Sequence, residues 1–264
     1  MTVRDALEAA VAAIAAAGCE TPRLDAELLI ADALAVDRAV LQSEPERTIA
    51  GAQARVISER VRRRVAREPV AYILGRRGFR HIELVVDSRV LIPRPETELL
   101  VEVALELPEG ARVHEVGTGS GAVALALLDE RPDLTVSASD ASPSAVELAR
   151  LNAARLGMPL AVEVVRGLPA GEWDFVIANL PYVREDEWDG LQPEIRRYEP
   201  REALVSGADG LDDIRSLVAQ APPGTRLALE HTPAQAAAVR ALLRGAETRR
   251  DLSGRERVTI GVAP

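Results

Sequence analysis

Two stretches of this chain carry residue types that could do chemistry together. Val176-Ile177-Ala178 empties into Asn179-Leu180-Pro181-Tyr182, and Arg112 to Val116 empties into Gly117-Thr118-Gly119-Ser120-Gly121. Short apolar runs of this kind are typical of buried parallel strands. Open α/β sheets place their ligands where such strands end, so both loops belong on one sheet edge. Glycines let the backbone turn tightly and approach a ligand closely, and the helix that follows presents N–H groups to polar or anionic atoms. Read strictly, Gly117-x-Gly119-x-x-Ala122 also fits the dinucleotide fingerprint, so the loop alone does not name the nucleotide. Asp140, at the end of the next strand, is placed to accept both hydroxyl hydrogens of a ribose. That role is common to NAD and S-adenosylmethionine.

The second loop separates the two. Hydride transfer has no need of Asn-x-Pro-Tyr, and nothing else in the chain resembles a dehydrogenase base. Methyl transfer from a sulfonium needs an in-line nucleophile about 3 Å from the carbon in a dry pocket. The Asn179 side-chain oxygen and the Leu180 carbonyl can each accept one N–H of a primary amide or exocyclic amine. Held so, the nitrogen is aimed, and the positive charge that grows on it during attack is stabilised. Tyr182 can lie flat against the planar group. Pro181 biases Leu180 to an extended conformation and so fixes its carbonyl. The residues read as a methyltransferase acting on planar nitrogen.

The elements that must position these loops follow from pattern. Residues 1–67 read as four helices: Thr2 caps the first, Pro22 opens the second with Leu24, Leu28, Leu29 and Leu34 on one face, a short third lies near 38–42, and Val56, Val61 and Val65 continue a fourth. That fourth helix carries Arg55, Arg60, Arg62, Arg63, Arg64 and Arg67, a run expected to be a solvated face or a docking patch for an acidic or RNA-associated partner. Gly75 and Gly78 then break the helical pattern. A β-hairpin is expected in 76–92, with Phe79 to Val86 as one arm, Asp87-Ser88-Arg89 as its turn and Val90-Leu91-Ile92 as the other arm. From Ala111 strand and helix alternate, the signature of a parallel doubly wound sheet. Seven strands are expected, the last two joined at Ser253-Gly254 as an antiparallel end.

Composition narrows the classes further. The chain has 264 residues, 47% of them hydrophobic but only 3% aromatic, and a formal net charge of −9. Such an acidic balance disfavours nucleic acid as the substrate, because phosphate contacts dominate that affinity. There is no lysine, and a single cysteine, Cys19, supports neither a disulfide framework nor a metal cluster. His81, His114 and His231 are scattered without ligand spacing, so no metal is expected. No apolar run is long enough for a membrane span and no signal peptide opens the chain, so a cytoplasmic protein is expected.

The chain resembles the glutamine N5-methyltransferases that modify peptide chain release factors. The likeness rests on Glu68 to Gly75, Val90-Leu91-Ile92-Pro93-Arg94-Pro95-Glu96-Thr97-Glu98, Gly117 to Gly121, Asn179 to Tyr182, Tyr198-Glu199-Pro200-Arg201, Gly207 to Leu211, and Gly254 to Val258. It implies an α/β protein with a Rossmann-like, seven-stranded class I methyltransferase domain (93–264). A helical domain that grips the release factor (1–75) and a hairpin linker (76–92) would precede it. By this similarity Gly117, Thr118, Gly119, Ser120, Gly121 and Asp140 hold S-adenosylmethionine, with Asn179 beside it and Leu168 covering the adenine. Asn179, Leu180, Pro181 and Tyr182 hold the amide of the glutamine in the Gly-Gly-Gln loop, and Arg94, Glu96 and Thr97 lie close by. The release factor is the expected partner of a monomeric enzyme. Three departures stand out: the family usually has Asn-Pro-Pro-Tyr, the 166–171 stretch lacks the acidic residue often found there, and Glu230-His231-Thr232 has His231 where a small residue usually follows the Glu. Asn-Leu-Pro-Tyr also occurs in enzymes that methylate adenine, so N6-adenine methylation of RNA or DNA is the alternative.

Overall fold

The computed structural model describes all residues from Met1 to Pro264, which divide into two compact units. One holds residues 1–75 and 192–198; the other holds 76–191 and 199–264.

The first unit is helical: α1 (Val3–Ala16), α2 (Pro22–Leu34), α3 (Arg38–Ser43), α4 (Gly51–Val65) and α5 (Val70–Leu74). Local chemistry sets its ends. Thr2 and Asp5 form a reciprocal capping box on α1. Pro22 occupies the first turn of α2, where its missing N–H costs nothing. Asp37 caps α3, and Gly75 ends α5 in the left-handed conformation. The core of the unit is Val3, Leu7, Ile14, Leu29, Ile30, Leu34, Leu41 and Ile57. Three apolar residues expected inside are on the surface instead: Leu24, Val56 and Val65 are exposed. Their helices turn Asp25 and Arg64 inward in their place.

The second unit opens with the hairpin β1 (Arg76–Phe79) and β2 (Ile82–Val85). The hairpin is therefore shorter than the sequence pattern suggests, and it turns at Arg80-His81, with Arg80 at φ 51°. Val90-Leu91-Ile92 forms no strand; Asp87 instead makes a local turn, accepting the Arg89 N–H at 3.0 Å. A 3₁₀ turn (Pro95–Thr97) leads into α6 (Glu98–Leu105), followed by β3 (Arg112–Val116), α7 (Ala122–Glu130), β4 (Thr135–Asp140), α8 (Pro143–Leu156), β5 (Ala161–Val164) and β6 (Phe175–Ala178). The chain then leaves to form α9 (Pro193–Tyr198) within the helical unit. It returns through α10 (Asp212–Gln220), β7 (Arg226–Glu230), α11 (Ala236–Ala241), β8 (Arg244–Arg250) and β9 (Glu256–Val262).

The sheet has seven strands in the order β5-β4-β3-β6-β7-β9-β8, parallel except for β9 and β8. The strand order reverses between β3 and β6, and the two loops singled out by their residues follow those two strands. That is the switch point at which doubly wound sheets bind ligands. The register Val116↔Ala178 brings the strand ends level. His114 on β3 is fully buried, bonded to Ser137 and Ser139 of β4, and burial lowers its ring to about 4, so it is neutral and structural.

Within the helical unit, part of the arginine run is interior rather than solvated. Arg64 Nε donates to Asp25 Oδ2 at 2.7 Å and its Nη2 to Glu194 Oε1 at 2.8 Å. Arg67 clasps the same Glu194 carboxylate at 2.8 and 2.6 Å and caps the end of α1 through the Ala17 and Gly18 carbonyls. Tyr198 adds a hydrogen bond to the Ala66 carbonyl. These contacts tie residues 192–198 to the helices that precede them.

Candidate active site

A cavity of about 630 Å³ opens at the switch point, a volume ordinary for a small-molecule or cofactor site. Gly117, Thr118, Gly119, Ser120 and Asp140 line one part of it; Asn179, Leu180, Pro181, Arg94 and Thr97 line another. So the structure brings together most of the residues picked out by sequence. Gly121, Leu168 and Glu96 lie outside this lining. Leu168 packs against the core, its N–H held by Gln220 at 2.9 Å, while Arg166 and Gly167 face the cavity. Tyr182 lines a small adjoining cleft with Asn179, Leu180 and Arg94.

The glycine loop is braced from four sides. The N–H groups of Gly117 and Thr118 both donate to the Ser139 carbonyl, at 2.9 and 3.0 Å. Thr118 Oγ1 donates to Glu115 at 2.6 Å, and the Ser120 carbonyl accepts from Asn152 at 2.9 Å. Asp140 accepts the Gly119 N–H at 2.9 Å and the Ser142 N–H at 2.8 Å. Each of its oxygens keeps a second lone pair for a hydroxyl. Asp140 thus serves the loop as well as any ligand, a duty the sequence did not reveal.

The glycines differ in what they need. Gly119, at φ 54°, has nothing within 4 Å of where a Cβ would stand. Gly117, at φ 75°, would place a Cβ 3.0 Å from Leu180 Cδ2. Gly117→Ala is therefore expected to cost about 1–2 kcal/mol, the scale of a left-handed penalty, while pushing Leu180. A lowered urea midpoint checks this, and an unchanged midpoint contradicts it.

Glu115 was not picked out by sequence, although an acidic residue inside an apolar strand just before a glycine loop was a visible signal. It is buried, accepts from Thr118 and from the Ala124 N–H, and its carboxyl is pushed up to about 7 by desolvation. A carboxyl raised from the usual range binds its proton more tightly folded than unfolded. Its contribution to stability is therefore complete below the unfolded value and fades as pH rises toward 7. Glu115→Gln is expected to gain on the wild type by about 2 kcal/mol in unfolding free energy between pH 5 and pH 7.5. Parallel urea titrations test this; a difference that does not change with pH rules it out.

The far wall is set by long-range contacts. Asn179 Nδ2 donates to Thr97 Oγ1 at 3.0 Å. Tyr182 Oη donates to Glu230 Oε1 at 3.2 Å, and burial together with that carboxylate pushes the phenol up, so it stays protonated. The Tyr182 carbonyl accepts from Gln235 at 2.9 Å, and Val183 exchanges hydrogen bonds with Leu204 and Ser206. Buried Glu199 holds Arg94 at 2.5 Å and the Ile92 N–H at 3.1 Å. The Pro93–Glu98 stretch is thereby fixed against the loop that follows β6. No group of His, Cys, Asp and Glu side chains could hold a metal ion.

Comparison with known proteins agrees with this geometry. Residues 5–75 match the family described as the PrmC N-terminal domain, and residues 95–192 match the methyltransferase small domain. The release factor glutamine methyltransferase of Xylella fastidiosa (strain Temecula1) is 42% identical over 270 residues, covering 96% of this chain and 98% of that protein. Its namesake in Pseudomonas aeruginosa is 44% identical over 255 residues, with 90% and 92% covered. That of Cereibacter sphaeroides is 39% identical over 281 residues, with 100% and 99% covered. Among solved structures, the human Mettl16 catalytic domain aligns with TM-score 0.51 at 12% identity over 67% of this chain and 73% of that one, a likeness of fold alone. With both loops on one cavity and near full-length relatives at this identity, the chain belongs to the release factor glutamine methyltransferase family.

Proposed function

We propose that this chain transfers a methyl group from S-adenosylmethionine to the side-chain amide nitrogen of the glutamine in the Gly-Gly-Gln motif of peptide chain release factors. The observation that carries the reading is the lock on Asn179. Its Nδ2 is committed to Thr97, so Oδ1 is left as an acceptor on a cavity that the glycine loop and Asp140 also line.

The residues present suit the cofactor. Gly117 to Ser120 give a backbone surface on which side chains would intrude, and Asp140 offers carboxylate lone pairs to ribose hydroxyls. Bound there, the cofactor would supply an electrophilic methyl carbon, with its sulfur as the leaving group when the amide nitrogen attacks and water as the acceptor of the nitrogen's proton. Asn179 Oδ1 and the Leu180 carbonyl hold the two amide hydrogens, aim the nitrogen and stabilise the charge that develops there. Tyr182 covers the amide plane. Arg94, fixed by Glu199, and Thr97 line the approach of the peptide, with Glu96 next to them outside the cavity lining.

Residues 1–75 serve as the recognition domain for the release factor, a protein partner bound by a monomeric, cytoplasmic enzyme. No helix is long and apolar enough to cross a membrane. An acidic chain with few aromatic side chains does not favour a nucleic-acid substrate, which calls for a basic channel and stacking platforms. The test is intact-mass measurement of a release factor incubated with the enzyme and cofactor. One added methyl on its Gly-Gly-Gln peptide is expected; label appearing on RNA alone would overturn the reading.

A further inference from the structure

We infer that Glu230 is a positioning residue that sets the orientation of the Asn179 amide through Thr97 while seating Tyr182. The inference rests on the methylation reading above and adds a residue to it. Glu230 ends β7, the neighbour of β6, with Ala178 paired to Leu229 one residue earlier. It is 1% exposed and does not line the cavity, so it acts on the substrate only through other side chains.

The argument is one of proton direction. An ionised carboxylate only accepts hydrogen bonds. Tyr182 Oη donates to Glu230 Oε1 at 3.2 Å, and the Thr97 hydroxyl lies near enough to the same buried carboxyl to favour its charged form. Glu230 Oε2 is buried without a hydrogen-bond partner, so it has lone pairs left to draw the Thr97 proton. A threonine hydroxyl has a single proton. Once that proton is turned toward Glu230, Thr97 Oγ1 can only accept from Asn179, as it does at 3.0 Å. Asn179 must then present Nδ2 to Thr97 and Oδ1 to the substrate. The reversed amide would point two N–H donors at an amide that itself offers N–H, and the substrate nitrogen would lose its orientation.

Protonation of Glu230 would undo the relay, because a neutral carboxyl can donate to Thr97. Burial raises this carboxyl to about 7, with Thr97, Tyr182 and Arg257 opposing the rise and Glu96 adding to it. Arg257 on β9 and Glu96 beside Thr97 are thus the other charges facing it, and Arg94 also faces Tyr182.

The experiment measures kcat, KM for the release factor and cofactor affinity in Glu230→Gln, Thr97→Val and Thr97→Ser. Glu230→Gln and Thr97→Val are each expected to lower kcat by about 10- to 100-fold, the range for removing an outer hydrogen-bond partner of a working group. KM and cofactor affinity should change little, since orientation matters most in the transition state. Thr97→Ser keeps the hydroxyl and should recover most of the rate lost in Thr97→Val. The Glu230→Gln/Thr97→Val double variant should lose no more than the worse single one. The wild-type fall in kcat toward acid pH should disappear in Glu230→Gln. Wild-type kcat in either Glu230→Gln or Thr97→Val, while Asn179→Ala is impaired, would overturn the inference and leave the function standing. A wild-type enzyme that leaves glutamine unmethylated would overturn both. Should Glu230→Gln fail to fold, the Val and Ser variants of Thr97 decide the matter.

Discussion

Asn179→Ala is expected to lower turnover by about 10²-fold or more while S-adenosylmethionine still binds, the scale for losing one preorganised polar contact to developing charge. On the proposed reading the cofactor is held mainly by the glycine loop and Asp140, which are braced by Ser139, Glu115 and Asn152 rather than by Asn179. The truncation removes the acceptor proposed to aim the substrate nitrogen and leaves Thr97 Oγ1 without its donor. Calorimetry with the cofactor and rate measurement on a release factor separate the two effects. Near wild-type turnover would show that the amide is aimed by something other than this side chain.

The second large effect concerns stability. Arg64→Ala is expected to destabilise the helical unit by about 3 kcal/mol, because it strips a buried ion pair of one partner and leaves the other charged. Arg64 is 5% exposed, and its guanidinium satisfies both Asp25 and Glu194. Asp25 retains only the Thr21 hydroxyl at 2.8 Å, and Glu194 only Arg67. Arg62, two residues away, pairs with Glu59 in the open, so Arg62→Ala should leave the unfolding midpoint where it is. Urea unfolding of the two variants side by side tests the contrast; equal midpoints would mean that Arg64 is as dispensable as its neighbour.

The sequence was most informative where the chemistry is local. Ser142 capping, Pro143 in the first turn and left-handed Gly157 bound α8 at the expected residues, since caps and stops act within a turn of the chain. The strand ends Val116 and Glu230 were readable from apolar runs followed by breakers. The hairpin was misplaced because its turn uses Arg80 in a left-handed conformation that arginine seldom adopts, whereas Asp87-Ser88-Arg89 has turn composition without pairing strands. The arginine run read as solvated because charge alone does not reveal partners at positions 25 and 194. Most residues singled out by sequence do line one cavity, because they sit at strand ends and glycines visible in the chain, but the contacts of Glu199, Glu230 and Gln235 were not legible. Their partners lie 105, 48 and 53 residues away along the chain.

The excursion of residues 192–198 has a consequence for anyone who would dissect this protein. The backbone crosses between its two units three times, at 75–76, 191–192 and 198–199, so neither unit is a continuous stretch of gene. A fragment cut cleanly at residue 76 would carry Glu194 away from both guanidiniums that neutralise it and would leave Arg64 and Arg67 without their shared acid. Swapping the helical half between relatives would therefore succeed only if this seven-residue loan is exchanged along with it.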